Sequence, residues 1–226
     1  MKRLLLSFLA LMAIAVCAKA EATAYAVWCA DNTTLYFLGS EETLSAGGTF
    51  TPDGATDPVT ITNVWSGTAV TASSTSNVPG WQSTVRSSVT TAVFEPSFHD
   101  FTPTSLRGWF YQCTKLTSVQ GISNLNTSAT TNMAYMFSGC SILESIDLSS
   151  LNTTTVTLMN HLFYSCPKLA SINLNGFNTS AVTNMRSMFE SCQVLTSLDI
   201  STFNTEKVTD MQYMFYNCKA LTSLDL

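Results

Sequence analysis

Residues 178–203 read NTSAVTNMRSMFESCQVLTSLDISTF, and the same 26-residue pattern begins at Asn126, Asn152, Asn178 and Asn204. A fixed period of roughly 20–50 residues marks a chain in which each repeat is one coil stacked on the last. Within the quoted copy, Met185, Met188, Phe189 and Cys192 fall at i, i+3, i+4 and i+7, the buried stripe of a short helix. The stripe recurs as Met133, Met136, Phe137, Cys140, as Met159, Leu162, Phe163, Cys166, and as Met211, Met214, Phe215, Cys218. A threonine stands two residues ahead of each stripe (Thr131, Thr157, Thr183, Thr209), where its hydroxyl would cap the helix. An L-x-x-L-x-L string follows each cysteine, as in Leu195, Leu198 and Ile200, and the last two face one side of a short strand. Leu151, Phe177 and Phe203 close the coils. Helix, strand and turn in each repeat predict an α/β fold: a leucine-rich-repeat solenoid with a small β-rich N-terminal cap.

Outward from the repeats, Leu106, Trp109, Phe110 and Cys113 occupy the helix columns of a degenerate coil, with Gly121 as an extra residue. The chain therefore divides into a leader (1–20), a β-rich cap region (21–86) and repeats (87–226), of which 87–125 are degenerate. Degenerate repeats are expected at the end of a stack, where one face must turn to water. The last copy stops at Leu226 without its closing residues. The expectation is either a longer repeat array or end-to-end association through that coil.

The strings SLRGWFYQCTKLTSVQGISNLNTS, NMRSMFESCQVLTSLDISTFNT and VTDMQYMFYNCKALTSLDL resemble the BspA-like family of bacterial leucine-rich-repeat surface proteins over roughly residues 87–226. The resemblance implies a secreted or surface-attached bacterial protein, adhesion to host matrix proteins or other cells, and no enzyme activity.

The N-terminus agrees with export. Lys2 and Arg3 precede an apolar run from Leu4 to Val16, and Ala18-Lys19-Ala20 is an A-x-A cleavage signal. A run this short does not span a bilayer, which needs about 20 residues. Lipidation at Cys17 is the rival reading, and Val16 is an unfavourable residue before such a site. Removing Lys2, Arg3 and Lys19 leaves seven basic against fifteen acidic side chains, a net charge of −8, so nucleic acid and anionic membrane are poor partners. In the cap region, alternating stretches such as Ala24–Trp28 and Thr34–Leu38 predict hairpins, with Ala72–Pro79 as a loop. Trp28, Trp65 and Trp81 are read as its core, a sugar-stacking platform being the alternative.

Two columns carry structural expectations. Cys113, Cys140, Cys166, Cys192 and Cys218 line the inner face of stacked helices, too far apart for disulfides and best read as small inert core residues. Asn126, Asn152, Asn178 and Asn204 are expected to bond the backbone of adjacent coils as a ladder, although the first three also spell N-x-S/T.

No nucleophile elbow, metal motif or paired histidine supports catalysis, so the expectation is a non-enzyme without cofactor or metal. Binding is expected on the sheet face, through Ser145, Ser171, Ser197 and Ser223 beside Asp147, Asn173, Asp199 and Asp225. The alternative surface is the helix face with Tyr135, Tyr164, Tyr213 and Tyr216. The expected partners are protein or glycan on host or neighbouring cells. An architectural repeat segment with no specific ligand is the competing reading.

Overall fold

The computed structural model describes residues 22–67 and 79–225. The leader, Cys17 and most of the loop expected at 72–79 lie outside the described residues. Among those described, no helix is long and apolar enough to cross a membrane.

The N-terminal region is a small sheet, as its alternating stretches predict. Strand β1 (Thr23–Cys29) pairs antiparallel with β2 (Thr34–Ser40), and the turn between them is held by Asp31, whose Oδ1 accepts the N–H groups of Thr33 and Thr34 at 2.9 and 3.1 Å. On its other edge β1 pairs with β4 (Val59–Ser66), which carries the two-residue β3 (Thr49–Phe50). Period-two alternation splits the side chains of β1 between two cores. Ala24, Ala26 and Trp28 join the main core, while Tyr25, Val27 and Cys29 pack with Leu38 and Ile61 in a smaller one.

Strand β2 then does what the repeats do. It pairs in parallel with β5 (Thr91–Phe94), and β5 in turn pairs in parallel with β6 (Ser118–Gln120). The cap thus supplies the first rung of the strand row, in the order β3-β4-β1-β2-β5-β6. The row continues as β7 (Ser145–Asp147) with β8 (Ser171–Asn173), and β9 (Ser197–Asp199) with β10 (Ser223–Asp225), all in parallel register one repeat apart. Trp81, beside the four-residue helix α1 (Gln82–Val85), is fully buried against Phe37, Trp109 and Phe110, and Trp28 and Trp65 pack into the same core. None of the three is an open platform.

The helix half of the expected repeat is absent. Apart from α1, the short helical segments among the described residues are 3-10 turns at Pro96–Asp100 and Ile122–Asn124, and the regular structure is mostly mixed β. The helix–strand leucine-rich-repeat solenoid is therefore the wrong fold class for this chain. Two left-handed residues in every copy explain why. Tyr135, His161, Ser187 and Tyr213 have φ between 54° and 63°, and four residues later Gly139, Ser165, Ser191 and Asn217 are also left-handed. An α-helix of L-residues cannot pass through such positions.

The backbone hydrogen bonds of this segment run in two directions. The N–H groups of Met133, Tyr135, Phe137 and Gly139 donate to Leu158, Asn160, Leu162 and Tyr164 of the next coil at 2.8–3.1 Å. Those of Met136, Ser138 and Cys140 fold back onto the carbonyl three residues earlier. Each copy is a chain of tight turns stitched to its neighbour, which satisfies the backbone without a helix. In the first three copies the same i, i+3, i+4, i+7 residues are buried all the same, Met133, Met136, Phe137 and Cys140 with no exposed surface, whereas in the last copy Met211 is exposed and Phe215 and Cys218 are partly buried. The Phe column stacks, with ring centroids of Phe110, Phe137, Phe163, Phe189 and Phe215 following one another at 5.3, 5.6, 5.9 and 5.6 Å and nearly parallel planes.

Three further columns differ from expectation in what they bond. The threonines read as helix caps hold coil to coil: Thr157, Thr183 and Thr209 each donate both N–H and Oγ1–H to the carbonyl of the equivalent threonine in the preceding coil. The asparagine side chains mostly bond within their own coil, since Asn126, Asn152, Asn178 and Asn204 accept through Oδ1 from the N–H two residues on. Asn126 alone among the four also reaches the preceding coil, donating to the His99 carbonyl at 3.2 Å. The inter-coil work expected of them falls on the next residue. Thr153 Oγ1 donates to the Asn178 carbonyl at 3.1 Å and accepts the Asn178 N–H at 2.7 Å, and Thr179 treats Asn204 the same way. The cysteines are free, as read, but for a reason other than helix spacing. Each S–H of Cys140, Cys166, Cys192 and Cys218 donates to the Phe carbonyl of the preceding coil at 3.0–3.3 Å. Burial pushes the Cys113 and Cys166 thiols up to about 12.

Candidate binding surface

The stitched coils present a strand face and a turn face. On the strand face, Ser145 and Ser171 sit side by side, as do Asp147 and Asn173, then Ser197 with Ser223 and Asp199 with Asp225. The column expected to contact a partner has an internal task. Asp147 Oδ1 accepts the Ser149 N–H at 2.9 Å, Asn173 Oδ1 that of Asn175 at 3.1 Å, and Asp199 Oδ1 both the N–H and the hydroxyl of Ser201 at 3.0 and 2.7 Å. These are Asx turns that bend the chain out of each strand. The hydrogen bonds from Ser149 and Ser201 hold the Asp147 and Asp199 carboxyls below the usual range. Among the described residues no cluster of His, Cys, Asp or Glu has the geometry to hold a metal ion.

The turn face is chemically richer. Its left-handed column places Tyr135 and His161 in register one coil apart, and their rings stack at 4.4 Å with planes 6° apart. The Arg107 guanidinium lies 4.6 Å above the Tyr135 ring, Tyr111 meets Tyr135 edge-on at 6.1 Å, and Tyr164 meets His161 edge-on at 5.4 Å. Two coils further, Arg186 lies 5.3 Å over Tyr213, and Tyr213 meets Tyr216 at 5.8 Å. Arg186 is steadied by Gln212 and by Asp210 at 3.8 Å. Asn160 Nδ2–H donates to His161 Nδ1 at 3.2 Å. Burial holds the imidazole below its ordinary value, with Glu190 opposing and Arg186 and Arg107 adding to the depression.

Of the four tyrosines expected here, Tyr164, Tyr213 and Tyr216 are exposed and Tyr135 is half-buried under its neighbours. Tyr111, Arg107, His161 and Arg186 complete the arrangement and were not read as site residues. Register could have found three of them, because Arg107 and Arg186 flank the left-handed column that holds Tyr135, His161 and Tyr213. Beside these rings lies a trench formed by two hollows of about 140 and 420 Å³ that share Gln112, Gly139 and Ser165. A third hollow of about 530 Å³ lies on the cap, between Leu38–Ser40, Thr49–Thr51 and Glu95–Ser97.

A family model described as "Mycoplasma protein of unknown function, DUF285" matches residues 103–173 and again residues 146–225, which together cover more than half of the chain. No curated protein and no solved structure matches it.

Proposed function

The chain belongs to the DUF285 family of Mycoplasma proteins of unknown function, and on that footing we propose that it is a secreted or surface-displayed bacterial repeat protein that binds host matrix proteins or other cells without turning them over. The export-type leader and the resemblance to BspA-like surface proteins support the location. One observation carries the binding role: the exposed Tyr164, Tyr213 and Tyr216 on the turn face, beside rings overlain by Arg107 and Arg186, mounted on a buried core. Tyrosine and arginine dominate the energetics of protein contacts because each buries a large surface for few rotatable bonds and keeps a polar end. A stack stitched by backbone hydrogen bonds holds them in place before the partner arrives, which lowers the entropic cost of association. On the strand face, by contrast, one carboxylate oxygen of Asp147 and of Asp199 is already committed to a corner.

The test is binding of the purified mature chain to immobilised matrix proteins and to host cells, with Tyr164→Ala, Tyr213→Ala and the pair Asp147→Ala/Asp199→Ala compared. Each tyrosine variant is expected to weaken binding by about tenfold or more, near 1.4 kcal/mol, with the thermal midpoint within a few degrees of the parent. Binding that no substitution on either face alters would favour the architectural reading, in which the repeats only span distance.

A further inference from the structure

We infer that the trench beside the tyrosines is a binding groove for an extended β-linked glycan chain, with a place for one acidic group at its Arg86 end. This rests on the turn face being the contact surface and names the partner class for it. Three features lead to a saccharide. The rim is aromatic: Tyr111, Tyr135 and Tyr164 line the smaller hollow, and Tyr164 is more than a third exposed. Aromatic rings present an electron-rich surface against which the C–H face of a sugar ring packs.

The larger hollow carries hydroxyls. Ser87, Thr114 and Ser141 line it, and Pro167 is its single apolar side chain. Ser141 donates its hydroxyl hydrogen to the Thr114 carbonyl at 3.2 Å, which leaves its oxygen as an acceptor. Gln112 donates to Tyr111 Oη at 3.3 Å and so ties floor to rim. Hydroxyls adjoining an aromatic rim satisfy a ligand that is apolar on one face and hydroxylated at its edges.

The third feature is period. The floor residues Gln112, Gly139 and Ser165 come from three successive coils and share the left-handed conformation, with φ of 56°, 78° and 57°. The same backbone shape therefore recurs at each coil step of about 4.8 Å, close to the advance of one sugar residue in an extended β-linked chain. A ligand with that repeat meets equivalent groups coil after coil. Arg86 is the one charged side chain lining the trench, so it sets a preference for a carboxylate at that end and does not make a polyanion site.

The experiment is a nuclear magnetic resonance titration of the mature chain with chitotetraose, a hyaluronan tetrasaccharide and maltotetraose. The two β-linked tetrasaccharides should shift the amides of Gln112, Gly139 and Ser165, with hyaluronan the tighter; the α-linked maltotetraose, which curls, should shift none. Thr114→Trp, which fills the trench from an exposed position, and Tyr164→Ala should each weaken chitotetraose binding at least about tenfold. Arg86→Gln should abolish the preference for hyaluronan and leave chitotetraose binding in place. Shifts confined to the strand face, or binding unaffected by Thr114→Trp, would overturn the assignment. Matrix-protein binding that depends on Tyr164 in a chain that ignores all three sugars would overturn the glycan groove alone. Loss of every interaction would bring down the wider reading with it.

Discussion

Thr153 and Thr127 occupy the same column one repeat apart, are both buried, and should respond to the same substitution with opposite signs. Thr153 Oγ1 makes two bonds to the backbone of Asn178, donating at 3.1 Å and accepting at 2.7 Å. Valine keeps the shape and removes both. The Asn178 N–H, left unpaired in a partly buried corner, costs about 1–3 kcal/mol. The loss at the carbonyl adds about 0.5–1.5 kcal/mol. Thr153→Val should therefore destabilise by about 2–4 kcal/mol. The Thr127 hydroxyl, by contrast, is buried with no hydrogen-bond partner. Replacing it with a methyl removes an unsatisfied polar group, so Thr127→Val should be neutral or stabilising by up to about 1 kcal/mol.

Urea unfolding followed by circular dichroism reads the difference. With a slope of about 2 kcal/mol per molar urea, the midpoint should fall by roughly 1–2 M for Thr153→Val and hold or rise for Thr127→Val. The double variant should show the two effects adding, because the two sites share no bonded partner. Equal losses at both positions would mean that the threonine column stabilises the coils by volume alone. The reasoning about inter-coil hydrogen bonds would then be wrong.

Phe163→Ala removes a fully buried ring stacked between Phe137 at 5.6 Å and Phe189 at 5.9 Å, and should destabilise by about 3–5 kcal/mol. Native-state hydrogen exchange should place the weakening in the coils on both sides of it, and uniform loss across the cap would contradict a stack held by neighbours. Gly121→Ala should cost at least about 2 kcal/mol in chemical denaturation, since Gly121 sits at φ 62° and an added Cβ would lie 2.3 Å from the Phe94 carbonyl oxygen. Burial raises the Glu95 carboxyl above its ordinary value, although the Asp53 N–H bonds it at 2.8 Å. A carboxyl raised on folding contributes stability while protonated, and that contribution is lost as pH rises from the unfolded value of about 4.3 through the folded one. Glu95→Gln should therefore raise the thermal midpoint at pH 7 and leave it unchanged near pH 3.5, and an equal gain at both would count against a pH-linked penalty.

What the sequence made legible was burial and register. The period of 26, the Met-Phe-Cys and Leu columns, the alternating cap strands and the outward tyrosines all follow from which side chains avoid water, and the structure places the Met133, Met136, Phe137 and Cys140 set inside. Backbone conformation was not legible, because i, i+3, i+4, i+7 burial describes one face of a helix and equally a chain of 3-10-like turns. The deciding residues are Tyr135, His161 and Ser187, none of which signals φ > 0 as glycine would. In the first regular copy Gly139 does carry such a signal, and its column-mates Ser165, Ser191 and Asn217 conceal it. The surroundings of the candidate surfaces were hidden for a related reason. The Asx turns at Asp147 and Asp199 show in sequence only as Asp-x-Ser, while Arg107 and His161 acquire meaning only beside Tyr135, one coil away. In a stitched stack, the neighbours that define a site are 26 residues distant, and the local window that reveals the core is blind to them.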